Sequence, residues 1–207
     1  MHHEVLPDAN KKLFPTLSIF GDFYLAGGTA IALQIGHRIS VDFDLFTDKE
    51  ISRSLIRDVE RVFAESTIQP LVHNSGELTL VVDGIKLTFL QYPFPLARGL
   101  VELEGIKMLS IAELAATKAY TVGRRGVYRD YIDIYFCLQE KDVSLEGIIT
   151  DAERKFGDTF NGRLFLEQLV YMEAVEDAEE SKLILLKEQV DRQGLISFFG
   201  AEIKKML

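Results

Sequence analysis

Two aspartates, Asp42 and Asp44, alternate along the chain a short distance after a Gly27-Gly28-Thr29 turn. On an extended backbone their side chains fall on one face, with Cα atoms about 6 to 7 Å apart. Like charges so placed repel and resist ionisation unless something positive sits between them. A divalent cation such as Mg²⁺ or Mn²⁺, bound by hard oxygens, answers that need. A nucleoside triphosphate would bring such a cation, and the glycine turn would hold its outer phosphates. The pattern therefore points to metal-dependent chemistry on a nucleotide. A solvated face on an edge strand is the competing reading for an isolated Asp-x-Asp pair; the glycine turn upstream weighs against it.

The elements that must position these groups can be read locally. Phe23 to Ala26 is a short apolar run, read as a strand that enters the turn. Thr29 is expected to cap a short helix through Ala30, Ile31, Ala32, Leu33 and Gln34, whose free N–H groups would face a phosphate, with Gly36 as its stop. From Ile39 to Phe46 the chain alternates. Ile39, Val41, Phe43 and Leu45 would share one strand face, and Ser40, Asp42 and Asp44 the other.

Further along, Ser110-Ile111-Ala112-Glu113 has the spacing of a capping box, and Ile111, Leu114, Ala115, Lys118 and Val122 share one helical stripe. Lys118 on that apolar stripe must either snorkel to water or meet an anion. A helix over about 127 to 138 places Asp130 on a stripe with Val127, Ile134 and Cys137, with Lys118 as its expected partner. Arg129 and Asp133, four apart, are expected to pair on the helix surface. Lys118, Arg124, Arg125 and Arg129 form a basic cluster where phosphate or an RNA backbone could land, although a charged turn is the plainer reading of 123 to 126. Arg38 could reach a triphosphate or serve as a structural partner of Asp42. His37 reads as structural. His2, His3 and His73 show no ligand spacing, and Cys137, the one cysteine, reads as a packing residue.

Taken together, Gly27-Gly28-Thr29-Ala30, His37-Arg38-x-Ser40-x-Asp42-Phe43-Asp44-Leu45-Phe46, Ala115-Ala116-Thr117-Lys118 and Arg125-x-x-x-Arg129-Asp130-Tyr131-Ile132-Asp133-Ile134-Tyr135 resemble the AbiEii/AbiGii toxin family of the nucleotidyltransferase fold. The resemblance covers about residues 23 to 138. It implies an enzyme that uses a nucleoside triphosphate and Mg²⁺ or Mn²⁺ to transfer a nucleotide to an acceptor, tRNA for some relatives. It also implies a toxin with an antitoxin partner. By position, Asp42 and Asp44 would bind the metal and, with Lys118, carry catalysis. Gly27, Gly28, Thr29, Arg38, Ser40, Lys118 and Asp130 would line the nucleotide site. A third carboxylate, common on a neighbouring strand in this fold, is missing: Ile85 to Leu90, read as a hairpin with Leu78 to Val82 through Asp83-Gly84, offers only Lys86, Thr88 and Leu90 outward. A catalytically weakened nucleotide-binding or partner-binding module is the alternative that this absence suggests.

The resemblance implies an α/β (α+β) fold, a mixed sheet with flanking helices followed by a mainly helical part. The expected division is 1–100 and 101–207, with Tyr92-Pro93-Phe94-Pro95 as the connection. Thr47-Asp48-Lys49-Glu50 reads as another capping box, opening a helix through Ile51 to Phe63, and Gly147, Gly157, Gly162 and Gly194 read as helix breaks. The 207 residues are 47% hydrophobic, enough for a substantial core. A net charge of −9 argues against a broad nucleic-acid surface, and the acidic run Glu173 to Glu180 reads as solvated or as a dock for a basic partner. No secretory signal or apolar run of membrane-spanning length is present in the sequence, so a cytoplasmic location without membrane contact is expected.

Overall fold

A seven-stranded mixed sheet organises the chain in the order β3-β4-β5-β2-β1-β7-β6. The structure is a computed structural model and describes residues 1–172, 175 and 183–206. The strands are β1 Tyr24–Ala26, β2 Phe43–Thr47, β3 Ile68–His73, β4 Glu77–Val82, β5 Ile85–Gln91, β6 Leu100–Leu103 and β7 Ile106–Leu109. The helices are α1 Asp8–Leu13, α2 Gly27–Ile35, α3 Leu55–Val62, α4 Ile111–Val122, α5 Tyr128–Cys137, α6 Leu145–Phe156, α7 Gly162–Val170 and α8 Arg192–Met206.

The register of the central strands sorts side chains by face. β2 runs parallel to β5 with Phe43 beside Leu87, Asp44 beside Thr88, Leu45 beside Phe89 and Phe46 beside Leu90. Phe43, Leu45, Leu87 and Phe89 are buried on the one face, where they join Phe14, Phe20, Phe23 and Phe63 in edge-on, tilted and stacked ring contacts. Such packing fixes the register, because a one-residue slip would turn Asp44 into this core. The polar face, with Asp44, Lys86 and Thr88, is left for the site. α2 is buried almost all round through Ala30, Ile31, Ala32, Leu33 and Ile35, which makes it the pivot between sheet and helices.

Several local expectations give way to tertiary structure. β2 begins at Phe43 rather than Ile39; residues 39 to 42 run irregularly, held by Ile39 N–H to Ile184 O, Ser40 N–H to Val5 O and Asn10 Nδ2 to Val41 O. The chain thus spends its hydrogen bonds on three distant partners instead of a ladder. No helix starts at Thr47-Asp48-Lys49-Glu50. Thr47 ends β2, and α3 begins at Leu55. At α4, Ser110 occupies the cap position without a capping side-chain bond, and the reciprocal half of the box is missing too, because the buried Glu113 carboxylate is taken by Lys155 Nζ and the Arg98 N–H. Gly147 and Gly194 lie inside α6 and α8, whereas Gly157 follows α6 and Gly162 opens α7. The sheet continues past residue 100 through β6 and β7, with β7 parallel to β1, so the mainly helical part begins at Ile111. Apart from Val175, the segment from 173 to 180 lies outside the described residues. No helix among the described residues is long and apolar enough to cross a membrane.

Candidate active site

The candidate residues meet where β1 turns into α2. Ala26 is extended and Gly27 takes a φ of +67°, so the chain enters the helix through a conformation that suits glycine. A Cβ on Gly27 would sit 2.3 Å from Asp44 Oδ2, and one on Gly28 would sit 2.1 Å from Arg38 Nη2. Only glycine at both positions lets a carboxylate and a guanidinium lie against the first turn. No side chain caps this helix start, and its first N–H groups have no intrahelical acceptor. Gly36 ends the helix in the left-handed region, its N–H bonded to Ala32 O.

Thr29 is not the cap. It is the third residue of α2, and its hydroxyl donates to the Asp42 carbonyl and lies 2.7 Å from Ser40 Oγ. Thr29 and Ser40 therefore hold the irregular segment that delivers Asp42, rather than turning their hydroxyls outward. Asp42 and Asp44 both line a cleft of about 570 Å³ whose wall also includes Gly28, Lys86, Lys118 and Arg125. Burial pushes the Asp44 carboxyl above its ordinary range; Lys86 pulls it back, and the neighbouring Asp42 pushes it up again.

Behind these carboxylates lies a buried ion cluster centred on Asp133. Its Oδ1 accepts from Arg38 Nε at 2.7 Å and His37 Nε2 at 2.8 Å, and its Oδ2 from Arg38 Nη2 at 3.0 Å. Lys118 Nζ lies 2.6 Å from Asp133 Oδ2 and 2.6 Å from Asp130 Oδ1. Arg125 then closes on Asp130 through Nε at 2.9 Å and Nη2 at 3.2 Å. Burial alone would raise the Asp133 carboxyl, but Arg38, Lys118 and the His37 hydrogen bond hold it well below the usual range. Burial alone would lower Lys118, yet Asp133 and Asp130 keep its ammonium charged above its ordinary value. For His37, desolvation outweighs Asp133 and lowers the imidazole's proton affinity.

The expected Lys118 to Asp130 contact is therefore present. The expected surface pair of Arg129 and Asp133 is not: Asp133 is fully buried, and Arg129 lines the cleft. Arg38 serves Asp133 with its planar fork rather than pairing with Asp42. Asp133, expected at the helix surface, in fact shares a stripe with Asp130, Ile134 and Cys137, a spacing that places it inward. Leu183 and Ile184 also line the cleft, brought back by the Ile39 to Ile184 bond.

The cluster of Arg38, Lys118 and Arg125 against Asp130 and Asp133 carries one net positive charge and faces Asp42 and Asp44. Two hard carboxylates beside glycine-cleared amides fit a divalent cation and the phosphates it accompanies. Among the described residues, no group of three or more His, Cys, Asp or Glu side chains is placed to hold a metal ion, so Asp42 and Asp44 are the pair available to one.

Comparison with known proteins identifies the family and the fold. A family model described as nucleotidyl transferase AbiEii toxin, type IV toxin–antitoxin system, matches residues 13–199. An uncharacterized protein of Aquifex aeolicus is 29% identical over 197 residues, covering 93% of this chain and 91% of its own. Among solved structures, MenT4, a nucleotidyltransferase toxin of Mycobacterium tuberculosis, superposes with a TM-score of 0.63 at 16% identity, over 95% of this chain and 80% of that one. JHP933 of Helicobacter pylori does so with a TM-score of 0.56 at 16% identity, over 100% of this chain and 94% of that one. These structures share the fold.

Proposed function

Because this chain belongs to the AbiEii nucleotidyl transferase toxin family, we propose that its cleft binds a nucleoside triphosphate with Mg²⁺ or Mn²⁺ and transfers the nucleotide to tRNA. The observation that carries this reading is the placement of Asp42 and Asp44 against the uncapped start of α2, with a net positive cluster behind them. Asp42 and Asp44 would hold the cation, which when bound neutralises charge on the transferred phosphorus and acidifies the attacking hydroxyl. The α2 amides bind the outer phosphates. Arg125, directed into the cleft while held by Asp130, offsets charge that gathers on the departing pyrophosphate. Lys118, fixed between Asp130 and Asp133, helps keep the Asp133 carboxyl ionised and the cleft wall rigid. Thr29 and Ser40 position Asp42 through its carbonyl and the segment before it. A protein antitoxin is the partner that family membership suggests, and the cytoplasm, where triphosphates and tRNA meet, is the place of action.

Purified protein incubated with bulk tRNA, Mg²⁺ or Mn²⁺ and each labelled triphosphate in turn tests the reading. Label in RNA from wild type and none from Asp42→Asn/Asp44→Asn is the expected result; equal labelling by both refutes it. Thr88, not an acid, stands beside Asp44 on β5. That favours one second reading, a nucleotide-binding module without turnover, which would show saturable triphosphate binding and no labelled product with any acceptor.

A further inference from the structure

On another flank of α4 lies a second cavity of about 300 Å³, lined by Tyr120, Gly123, Arg124, Thr159, Leu164 and Gln168 among others. Its floor is a stack. The Phe156 and Tyr120 rings lie 3.9 Å apart at 14°, and the Arg124 guanidinium sits 3.5 Å over the other face of Tyr120. Arg124 is locked in that plane by Nη1 to Tyr120 O at 3.3 Å and Nη2 to Thr159 O at 2.9 Å. Arg124 is exposed and lines the cavity. At the wall, Gln168 Oε1 is buried with no hydrogen-bond partner among the described residues. A buried acceptor without a donor is costly, and a guest bearing an N–H would relieve it.

We propose that this cavity binds an unpaired nucleobase of an RNA acceptor, stacked on Arg124 and donating an N–H to Gln168. Guanidinium planes are stacking platforms for splayed bases, and every base offers a flat face, many with N–H donors at the edge. The position fits an acceptor. Arg124 and Arg125 are neighbours on the turn after α4 and diverge, Arg125 to Asp130 in the main cleft and Arg124 to this stack. One strand crossing the turn would place its reacting end in the first cavity and a nearby base in the second. In a chain of net charge −9, such a local site gives hold on RNA that a broad basic surface does not. The inference rests on the reading of the main cleft as a transferase site with an RNA acceptor.

The test is equilibrium binding of a fluorescein-labelled single-stranded RNA octamer, a blunt duplex of the same length and a nucleoside triphosphate. Wild type is compared with Arg124→Ala, Arg124→Lys and Gly123→Leu. Gly123 has an ordinary φ of −64°, and a Cβ there meets nothing nearer than Gln168 Oε1 at 3.5 Å, so leucine fills the cavity without straining the backbone. All three variants should lose roughly tenfold in single-strand affinity, with triphosphate binding and thermal melting unchanged. Rescue by Arg124→Lys overturns the stacking claim, since lysine keeps the charge and loses the plane. Unchanged single-strand affinity in Gly123→Leu, or no single-strand binding by wild type, overturns the site altogether. Intact binding differences with no label transferred to any RNA would remove the transfer reading and leave the base site standing. Normal RNA labelling with variants that bind like wild type would do the reverse.

Discussion

Replacing Asp133 by Asn should be the most damaging single change near the site, although it alters one atom. Asp133 accepts from Arg38 twice and from His37 once, and it also faces Lys118 at 2.6 Å. An asparagine keeps one acceptor oxygen and turns an NH₂ donor toward Arg38 or Lys118. Arg38 then loses its carboxylate partner, and Lys118 keeps only Asp130, which Arg125 also holds. Removing one partner of a buried ion pair costs about 3 to 5 kcal/mol, because the surviving charge stays desolvated. With a urea m-value of about 2 kcal/mol/M, a loss of about 4 kcal/mol lowers the denaturation midpoint by about 2 M. Such a loss is a large share of a stability of roughly 5 to 15 kcal/mol. Urea unfolding followed by circular dichroism reads the midpoint. Glu167→Ala, which breaks the exposed pair with Arg163 at 3.0 Å, serves as the control and should leave the midpoint unmoved. A drop for Asp133→Asn no larger than that of Glu167→Ala would refute the claim that this cluster holds α5 to the site.

Other consequences can be read from the same residues. Gly28→Ala pushes a methyl into the place of Arg38 Nη2, so triphosphate affinity should fall at least about tenfold, by calorimetry, for a displacement worth about 1.4 kcal/mol; unchanged affinity would remove the turn from the binding site. His37 has a folded-state proton affinity below its ordinary value of 6.5, so it favours the folded protein above that pH and loses this contribution as pH falls through and below it. The urea midpoint should therefore decline from about pH 7 to about pH 5, with His37→Asn flattening the decline; an identical slope in both proteins contradicts the assignment. Lys86 is the first of three cations, with Lys118 and Arg125, that pull Asp44 down. Lys86→Glu should tighten Mn²⁺ binding severalfold in a spin-resonance titration, and weaker binding would show that Lys86 helps hold the phosphates.

The parts of this molecule that follow from local chemistry were visible in the sequence. The glycine pair announced a helix start cleared for close approach, whereas the alternation around Asp42 and Asp44 holds only from Phe43 onward: Asp42 lies in an irregular segment where Ser40 is buried and Val41 exposed. The mixed sheet with flanking helices is present as the family resemblance implied. What stayed hidden was set by distant partners. Glu113 at a capping-box spacing is claimed by Lys155 and the Arg98 N–H. Asp133, four residues after Arg129, had the spacing of a surface pair, while Arg38 and Lys118 from other elements drew it inside. β3 carries Pro70 and is mostly exposed at the sheet edge, so it lacks the alternation that marks a half-buried strand. Residues 184 to 186 bond to residues 37 to 39 from the far end of the chain, a pairing no local pattern encodes.

Mn²⁺ binding followed by electron spin resonance, with a nucleoside triphosphate present and no acceptor, tests the central claim most directly because it needs no knowledge of the acceptor. Wild type should retain Mn²⁺ saturably, and Asp42→Asn/Asp44→Asn should retain it at least about a hundredfold more weakly, a loss of roughly 2.7 kcal/mol, with thermal melting unchanged. Equal Mn²⁺ retention by the two proteins would contradict it.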